Sequence, residues 1–494
     1  MTLLGVGLPR RGSLFRKLMI GGILMFISCW ITVLMLQNSA DSSVSNTGRS
    51  QDHKLPYMPA HNNVPRDENV YIKKNSTVKQ QQDSVGKNTP HFPRKTLLST
   101  REHSATNKTN QNTTIKAAHK SVPRIDSIPS MNGPNSVELL RKKLVTLNRE
   151  ERILNADKFA PLGNDDIILI VQVHKRVAYL RQLLDSLRAA RGVEEVLLVV
   201  SSDYYYEEMN QIVESVDFCK VLQIFYPFSL QVFPDSFPGQ SKTDCPRDVN
   251  REKAIEMNCT NALHPDSFGH YREAKVTAIK HHWWWKVNTV FDHLRVTTDF
   301  NGYVFFLEED HYLSPDFVHV AKRLVALKRE QCQDCDLVNM GTYQKSSFAA
   351  MSSQASPSLW NAGKNNMGFG MDRSTWNTIK GCREKFCSYD DYNWDWSLNS
   401  LGNTCLGKKL KVLVMKAPRI IHIGTCGTHH HHKSCNEAEQ ARVAREGFSQ
   451  NSAHLFPESL QLANPQSMGA RALKNYGGWG DTRDHQLCLS FVTT

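Results

Sequence analysis

Three consecutive carboxylates follow a hydrophobic stretch in the middle of the chain. Residues 303–307 read YVFFL, which predicts a buried strand, and Glu308, Glu309 and Asp310 come directly after it. Ionised carboxylates repel one another and are seldom buried without a cation to pair with them. A divalent metal ion is the usual partner of such a cluster at a strand end, because its charge offsets the repulsion. The triplet therefore predicts a metal site.

The segments before the triplet predict the elements that would position it. Apolar runs predict strands, and helical spacing of apolar residues predicts helices. The predicted elements are strands at 167–176, 195–203 and 220–228 and helices at 137–154, 177–192 and 205–216. Strands that alternate with helices form a doubly wound parallel sheet, and such α/β sheets bind ligands at the carboxyl ends of their strands.

The first strand-to-helix turn lacks the usual nucleotide-binding motifs. It contains neither G-x-G-x-x-G nor a P-loop, which disfavours dinucleotide enzymes and P-loop kinases. It offers Gln172, His174, Lys175 and Arg176, whose donors suit a base edge and phosphates, although this segment alone favours a solvated start of the helix. Asp203, at the end of the second strand, is suited to accept a hydrogen bond from a ribose hydroxyl.

The N-terminus predicts a membrane anchor. Residues 18–36 contain no charge and are long enough to cross a bilayer as a helix. The basic residues Arg10, Arg11, Arg16 and Lys17 precede this segment. By the positive-inside rule, residues 1–17 form a cytoplasmic tail and the rest of the chain is lumenal. A cleaved signal peptide is the alternative, but the apolar run is longer than usual and a good cleavage site is missing.

Residues 37–136 predict a disordered lumenal stem, because they are too polar to offset the entropy of folding. Glycosylation sequons begin at Asn75, Asn107, Asn112 and Asn258.

The positive charge of the chain lies in its N-terminal part. Residues 1–150 hold 22 Lys+Arg and 9 Asp+Glu, a surplus of 13, so the remaining 344 residues carry a net charge of about −1 out of the total of +12. A phosphate-binding surface would need its positive charge on the folded domain, so nucleic acid is excluded as a partner.

The cysteines indicate an oxidising compartment. One of the 12, Cys29, lies in the predicted anchor, and the other eleven fall between Cys219 and Cys488. Eleven lumenal cysteines predict several disulfides and at least one free thiol. Cys332–Cys335 and the histidine-containing segment 426–435 could instead hold zinc, but an oxidising lumen favours disulfides.

A nucleotide-binding half, an acidic triplet and a lumenal anchor together suggest a transferase that uses a sugar nucleotide. Such an enzyme needs a divalent ion on the diphosphate, and oxygen ligands suit Mn²⁺ or Mg²⁺.

Five sequence blocks, in the same order along the chain, resemble the α-1,6-mannosyl-glycoprotein 2-β-N-acetylglucosaminyltransferase (N-acetylglucosaminyltransferase II) family over roughly 137–490. These blocks are SFGHYREAKVTAIKHHWWWK, FLEEDHYLSPDF, YDDYNWDWSL, RIIHIGTCG and GGWGDTRDHQLC.

The resemblance implies an α/β fold of the GT-A type, in which a Rossmann-like nucleotide-binding half joins an acceptor-binding half, here over residues 137–494. It implies transfer of N-acetylglucosamine from UDP-GlcNAc to O2 of the α1,6-arm mannose of an N-glycan that already carries GlcNAc on its α1,3 arm. It also implies a single-pass type II protein of the Golgi membrane that depends on Mn²⁺.

The resemblance assigns roles to particular residues. It implies that Asp310 and His422 bind Mn²⁺ and that Asp395 is the catalytic base. The implied donor-binding residues are Gln172, Val173, His174, Lys175, Arg176, Asp203, Ala278, Ile279, Lys280, His281 and His282. The family has an arginine shortly after GTY, where this chain has Lys345. Lysine lacks the planar fork of arginine, so that contact stays unassigned.

The resemblance also implies a set of disulfides that leaves Cys219 free. The implied pairs are Cys245–Cys259, Cys332–Cys335, Cys382–Cys405, Cys387–Cys488 and Cys426–Cys435.

Structural roles compete with several of these assignments. His422, between two isoleucines, could be a hydrogen-bonded core histidine, and Asp395 could merely order its loop. At least one of Trp283, Trp284 and Trp285 is expected in the core, and Trp394 or Trp396 could line an acceptor cleft.

Two other functions compete with transfer. A lectin would keep the fold without catalysis, but the expected metal, base and donor residues are all present. A metal-dependent hydrolase would not need a nucleotide half, and neither H-E-x-x-H nor G-x-S-x-G occurs.

Overall fold

The computed structural model describes residues 134–343, 347–424, 426–427, 430–431, 436–465 and 475–492. The predicted tail, anchor and nearly all of the stem lie outside these residues, as do Lys345 and Cys435. Across the described ranges, no helix has the length and apolar character that crossing a bilayer requires.

The described chain alternates between strands and helices as the sequence predicts. The strands are β1 (Ile153–Leu154), β2 (Ile167–Val173), β3 (Leu197–Ser202), β4 (Lys220–Phe225), β5 (Tyr303–Glu308), β6 (His311–Leu313), β7 (Leu337–Asn339), β8 (Gln354–Leu359), β9 (Phe369–Met371), β10 (Lys411–Met415), β11 (Ile420–His422), β12 (Cys426–Gly427), β13 (His430–His431) and β14 (Gln461–Leu462). The α-helices are α1 (Pro134–Glu150), α2 (Val177–Arg188), α3 (Glu207–Glu214), α4 (Arg251–Glu256), α5 (Ala274–Asn288), α6 (Phe317–Gln331), α7 (Phe348–Met351), α8 (Ala362–Asn365), α9 (Arg373–Gly381), α10 (Arg383–Ser388), α11 (Trp394–Thr404), α12 (Glu437–Gln450) and α13 (Thr482–Ser490). Shorter turns are a π-helix at Thr289–His293 and 3₁₀ helices at Val193–Glu195, Arg295–Thr297 and Ser452–His454.

A ten-stranded mixed sheet organises these elements in the order β1-β4-β3-β2-β5-β9-β7-β10-β8-β14. Strands β4, β3, β2 and β5 are mutually parallel, which confirms the predicted parallel half. Strand β9 runs antiparallel to both β5 and β7, so the second half of the sheet is mixed. In the β2–β5 register, Gln172 lies opposite Glu308, so the first turn and the carboxylate triplet meet at one edge.

Helices cover both faces of the sheet, and this explains the continuous apolar runs of its central strands. Alternate residues of β2 enter different cores: Leu169 and Val171 pack with α2 and α6, whereas Ile168 and Ile170 pack with the α5 tryptophans Trp283 and Trp284. Trp283 and Trp284 are fully buried, which confirms that the tryptophan triplet contributes to the core.

Three predicted elements extend several residues further along the chain than the corresponding elements of the structure. The strand predicted to reach residue 176 ends at Val173, and the helix predicted to reach residue 192 ends at Arg188. The helix predicted for 137–154 ends at Glu150 and is followed by the short strand β1.

Four disulfides join the partners that the resemblance implies: Cys245–Cys259, Cys332–Cys335, Cys382–Cys405 and Cys387–Cys488. The expected Cys426–Cys435 pair lies outside what the structure describes. Cys219 is a buried free thiol, and burial raises its pKa to about 12. Since the Cys332 and Cys335 sulfurs are bonded to each other, they do not act as zinc thiolates.

The chain-entropy model predicts unequal contributions from these disulfides. Cys387–Cys488 spans 101 positions and Cys332–Cys335 spans 3. Replacing both cysteines of the long-range pair with alanine should lower the free energy of unfolding by about 4–5 kcal/mol, against about 2 kcal/mol for the short pair. Denaturant unfolding of the two double variants without reductant measures both losses. Equal losses would contradict a stabilisation that depends on loop length.

Candidate active site

The end of β5 brings the carboxylate triplet into the protein interior. Glu309 and Asp310 are only 2% and 3% exposed. Asp310 Oδ2 accepts a hydrogen bond from Arg176 Nη1 at 2.8 Å and lies 3.3 Å from His422 Nε2. Although burial raises the pKa of Asp310, its bond to His422 and the charge of Arg176 hold the pKa below its usual range. Asp310 is therefore an ionised carboxylate held between Arg176 and His422.

A two-stranded ribbon carries His422 to Asp310. Strand β11 pairs antiparallel with β6, so that His422 lies opposite His311, and Ile423 N–H donates to Asp310 O at 2.9 Å. Gly424 allows this approach, because a Cβ there would lie 2.3 Å from Asp310 Oδ2. The glycine of the sequence RIIHIG is therefore part of the site.

Asp310 and His422 fit a divalent metal ion. Two ligands about 2.1 Å from one octahedral ion lie about 3.0 Å apart, close to the 3.3 Å between these two atoms. The buried Asp310 Oδ1 has no hydrogen-bond partner among the described residues, as expected of an oxygen that would face an ion or ligand. Glu308 and His311 also offer ligand atoms within 4.8 Å, although His311 Nδ1 accepts from the Glu308 N–H.

A buried ion pair fixes the far end of the ribbon. Arg419 and Asp316 are both fully buried, with Arg419 Nε 3.0 Å from Asp316 Oδ2. The other guanidinium nitrogens of Arg419 donate to the carbonyls of Ala417 and Ser352 at 2.8 and 2.7 Å. A slip of one residue in β11 would turn His422 to the opposite face. This pair, three residues before His422, opposes such a slip.

The middle carboxylate of the triplet holds the turn between β2 and α2. Glu309 accepts from His174 N–H at 2.6 Å and from Arg176 Nε at 2.5 Å. Arg176 therefore bridges Glu309 and Asp310. Burial raises the pKa of Glu309 to about 7, and Arg176 opposes that rise. This role of Glu309 cannot be predicted from the sequence, because the contact joins residues far apart in the chain.

Side chains from three elements gather around Asp203. His174 Nδ1 is 2.6 Å from Asp203 Oδ1, and His282 Nδ1 is 3.9 Å from Asp203 Oδ2. Burial lowers the pKa of His282 to about 3, so its imidazole is neutral. Gln172 Oε1 is buried without a partner in the described chain, and Lys175 Nζ lies 3.7 Å from the centroid of the Tyr204 ring.

Other expected donor residues point elsewhere. Lys280 Nζ donates to the carbonyls of Tyr389 and Asp391 at 3.0 Å, and burial lowers its pKa to about 7. His281 Nε2 bonds Asp484 at 2.8 Å. Val173 is buried in the sheet core, while Ala278 and Ile279 are partly buried on α5. The structure thus brings His282 to Asp203, turns Lys280 towards the loop before Asp395 and turns His281 towards α13.

The three aspartates of YDDYNWDW have different surroundings. Asp390 accepts from the backbone N–H groups of Ser267 and Trp479 at 2.6 and 3.1 Å. Asp391 accepts from the N–H groups of Asn393 and Tyr476 at 2.8 and 3.0 Å. Both carboxylates therefore order the loop and fasten the C-terminal segment to it.

Asp395 accepts fewer backbone hydrogen bonds than Asp390 or Asp391. It lies in the first turn of α11, where Oδ1 accepts from the Trp396 N–H at 2.9 Å and Oδ2 accepts from Asn366 Nδ2 at 3.0 Å. Burial raises the pKa of Asp395 to about 7, and the charge of Glu308 adds to the rise. A carboxyl group with this pKa can accept a proton near neutral pH.

The tryptophans beside Asp395 divide between core and surface. Trp394 is buried and stacks on Trp283 with ring centroids 4.5 Å apart. Trp396 is partly exposed and meets Tyr476, which is 54% exposed, at 5.9 Å. Only Trp396 of the two is therefore accessible to an acceptor.

Two residues of this site were not predicted from the sequence. Asn366 is a partner of Asp395 but belongs to the turn after α8, and no motif marks it. Tyr343 is half exposed, its ring lies 6.2 Å from that of His422, and burial together with the charges of Glu308, Asp310 and Asp395 raises its pKa. Its place directly after Gly341-Thr342 was the available signal.

Comparison with known proteins identifies relatives along most of the chain. The sequence model of the family described as N-acetylglucosaminyltransferase II (MGAT2) matches residues 141–488. The chain is 43% identical over 371 residues to the α-1,6-mannosyl-glycoprotein 2-β-N-acetylglucosaminyltransferase of Rattus norvegicus, covering 75% of this chain and 84% of that protein. The Homo sapiens protein of the same name is 42% identical over 369 residues, covering 74% and 82%.

Solved structures give a weaker likeness. S. aureus TarS in complex with UDP-GlcNAc is 13% identical with a TM-score of 0.27, covering 53% of this chain and 60% of that chain. The galactosyltransferase LgtC in complex with donor and acceptor sugar analogs is 12% identical with a TM-score of 0.30, covering 59% and 96%. Scores this low do not establish a shared fold.

The Arg419–Asp316 pair predicts a specific effect on metal binding. Arg419→Lys keeps the charge but cannot make the same three contacts, so the ribbon should lose its fixed register. We expect the affinity for Mn²⁺ to fall about 10-fold, as for other residues that orient metal ligands. Calorimetry of Mn²⁺ binding measures the effect.

Arg272→Lys is a matched control. Arg272 is also buried, pairs with Asp484 at 2.8 Å and bonds two backbone carbonyls, but it lies outside the ribbon. Both variants should melt earlier, whereas only Arg419→Lys should lose Mn²⁺ affinity. Equal Mn²⁺ affinities in the two variants would show that the pair serves stability alone.

Proposed function

The chain belongs to the N-acetylglucosaminyltransferase II family, and from that premise we propose that this site transfers N-acetylglucosamine from UDP-GlcNAc to an N-glycan. The acceptor atom is O2 of the α1,6-arm mannose, on a glycan that already carries GlcNAc on its α1,3 arm. The observation that carries the proposal is the 42–43% identity to enzymes of this name over most of the chain. The two carboxylate centres, at Asp310 and Asp395, supply the chemistry that such a transfer needs.

The proposed enzyme is a single-pass type II protein of the Golgi membrane. Residues 1–17 form its cytoplasmic tail, 18–36 its signal anchor, 37–136 its stem and 137–494 a lumenal catalytic domain of the GT-A type. The uncharged segment with basic residues on one side supports this topology. The disulfides of the folded part are consistent with an oxidising lumen.

The donor binds at the edge formed by the β2–α2 turn. Lys175 and Arg176 can supply positive charge to the diphosphate, and Glu309 holds their turn in place through two hydrogen bonds. Asp203 can accept from a ribose hydroxyl, with His174 and neutral His282 beside it. Gln172 adds a buried amide oxygen that is free to bind the base. Lys280 and His281 serve the donor indirectly, because Lys280 anchors α5 to the loop before Asp395 and His281 anchors it to Asp484 of α13.

Asp310 and His422 would hold a divalent ion, for which we propose Mn²⁺. A bound ion there would offset the negative charge that develops on the departing diphosphate. The chain prepares the site by burying the ionised Asp310 and by leaving its Oδ1 without a protein partner. Manganese is favoured over zinc because Asp310 and the diphosphate would supply mainly oxygen donors.

Asp395 acts as the general base. An α-linked donor and a β-linked product require inversion at the anomeric carbon, which a single in-line attack provides. The acceptor hydroxyl is a weak nucleophile, and Asp395 takes its proton during the attack. Asn366 and the Trp396 N–H orient the carboxylate, and its raised pKa makes it a competent base near neutral pH.

One assay separates transfer from its alternatives. Incubation with UDP-GlcNAc, Mn²⁺ and a defined N-glycan with GlcNAc on its α1,3 arm should extend the glycan by one residue. Slow release of UDP without extension would indicate a hydrolase. Glycan binding with neither release nor extension would indicate a lectin.

Asp310→Ala should abolish metal-supported donor binding, because the ion loses its carboxylate ligand. Calorimetry of UDP with and without Mn²⁺ measures this, and we expect the gain in affinity that Mn²⁺ gives the wild type to disappear. Asp203→Ala is the control, since it should weaken UDP binding to the same extent with and without Mn²⁺. A Mn²⁺ gain that survives in Asp310→Ala would move the metal site elsewhere.

Asp395→Asn should lower the transfer rate by roughly 10²–10⁴, because the amide cannot accept a proton, while the affinity for UDP and Mn²⁺ stays near that of wild type. In the wild type, kcat/KM should fall about tenfold per pH unit below about pH 7, since protonation removes the base. Transfer rates from pH 5 to 9 measure both effects, and the variant should lose this acid limb.

Asp390→Asn is the matched control for the base. Its carboxylate caps two backbone N–H groups, so the variant should melt earlier but keep the acid limb of the wild type. If Asp390→Asn lost the acid limb and Asp395→Asn kept it, Asp390 would be the base.

A further inference from the structure

One glycosylation sequon lies inside the described, folded part of the chain. Asn258, Cys259 and Thr260 follow α4 in the long connection between β4 and α5. Asn258 adopts a left-handed backbone conformation with φ of +50°, and its N–H donates to Ile255 O at 3.0 Å. The residue is exposed, and its side-chain amide has no hydrogen-bond partner in the described chain. A substituent on that amide would displace no contact of the fold.

Two exposed apolar side chains flank this asparagine. Ile255 is 46% exposed and Met257 is 49% exposed, although α4 buries only Ala254. The first sugar of a glycan on Asn258 would lie next to them and could cover them with its C–H face.

In the folded state, the other two residues of the sequon, Cys259 and Thr260, are bonded to neighbouring residues. Thr260 donates through Oγ1 to Thr243 Oγ1 at 2.8 Å and through its N–H to Thr243 O at 2.7 Å. Cys259 is bonded to Cys245. The threonine hydroxyl, which the glycosylating enzyme must recognise together with the asparagine, is thus engaged once this loop has formed. Modification before this loop forms would leave the hydroxyl free for recognition.

We propose that Asn258 carries an N-linked glycan that is attached before the Cys245–Cys259 disulfide closes. The inference rests on the lumenal topology of the proposed function. The donor is an oligosaccharide linked through a diphosphate to a lipid. A bond forms between Asn258 Nδ2 and C1 of the first sugar as the C1–O bond to the diphosphate breaks; the diphosphate leaves with the electron pair, and the amide loses one proton.

Peptide mapping of the full chain from a eukaryotic secretory cell tests the proposal. Release of glycans with peptide N-glycosidase in ¹⁸O-labelled water converts each modified asparagine to labelled aspartate. We expect label at position 258 in most molecules, and the stem sequons at Asn75, Asn107 and Asn112 report independently on lumenal exposure. Labelled stem sequons with an unlabelled position 258 would overturn the proposal and leave the proposed function intact.

The absence of label at all four sequons would reject the lumenal topology and this proposal with it, while transfer activity of the same sample would test the enzyme separately. Asn258→Gln should remove one glycan from the intact mass, and Thr260→Ser should retain it. Label that persists at position 258 in Thr260→Ala would show that the labelling does not follow the sequon.

A separate variant tests whether glycosylation of Asn258 precedes formation of the Cys245–Cys259 disulfide. Cys245→Ser leaves Cys259 unable to form its native disulfide, so the sequon stays open for longer. Occupancy at position 258 should then equal or exceed that of the wild type. A fall of several-fold in Cys245→Ser would show that the closed loop assists glycosylation, and the proposed order would be wrong.

Discussion

Burial of two neighbouring carboxyl groups at the end of β5 constrains the elements around them. Glu309 and Asp310 are almost fully buried, and their charges would be prohibitive there without cations and N–H donors. The protein supplies Arg176 between the two carboxylates and His422 on the far side of Asp310. The charge is thereby shared among three elements: the β2–α2 turn, the end of β5 and the β11 strand. The same charge balance leaves Asp310 Oδ1 unused, and an ion or ligand can bind there.

This constraint joins segments that are distant in the sequence. Arg176 requires the first turn to lie beside β5, and the parallel β2–β5 register provides that neighbour. His422 requires the β6–β11 ribbon to keep its register, which a short two-stranded ribbon cannot ensure alone. The Arg419–Asp316 pair adds the missing specificity at the other end of the ribbon. A buried ion pair contributes little net stability, so its value here is in fixing geometry.

The sequence predicted the parallel half of the sheet because its strands are buried on both faces and therefore appear as unbroken apolar runs. It also predicted that Asp310 would matter, since the charge cost of the triplet is visible locally. It could not predict that Glu309 would bind the first turn or that Asn366 would bind Asp395, because those contacts depend on strand register and loop path. For Lys280 and His281 the resemblance identified the helix, but the direction of each side chain depends on the packing of α5 against the C-terminal segment.

The YDDYNWDW loop illustrates how hydrogen bonding separates identical side chains by role. Asp390 and Asp391 each accept two backbone N–H groups, and these bonds tie the loop to the segment that ends in Cys488. Burial raises the pKa of Asp391 to about 6, and its hydrogen bonds from Asn393 and Tyr476 oppose that rise. Asp395 accepts one backbone N–H and one amide and lies near Glu308, so burial outweighs stabilisation of its charge and its pKa rises to about 7. Asp390 and Asp391 therefore hold the loop in place through their backbone hydrogen bonds, and the loop in turn positions Asp395 as the base.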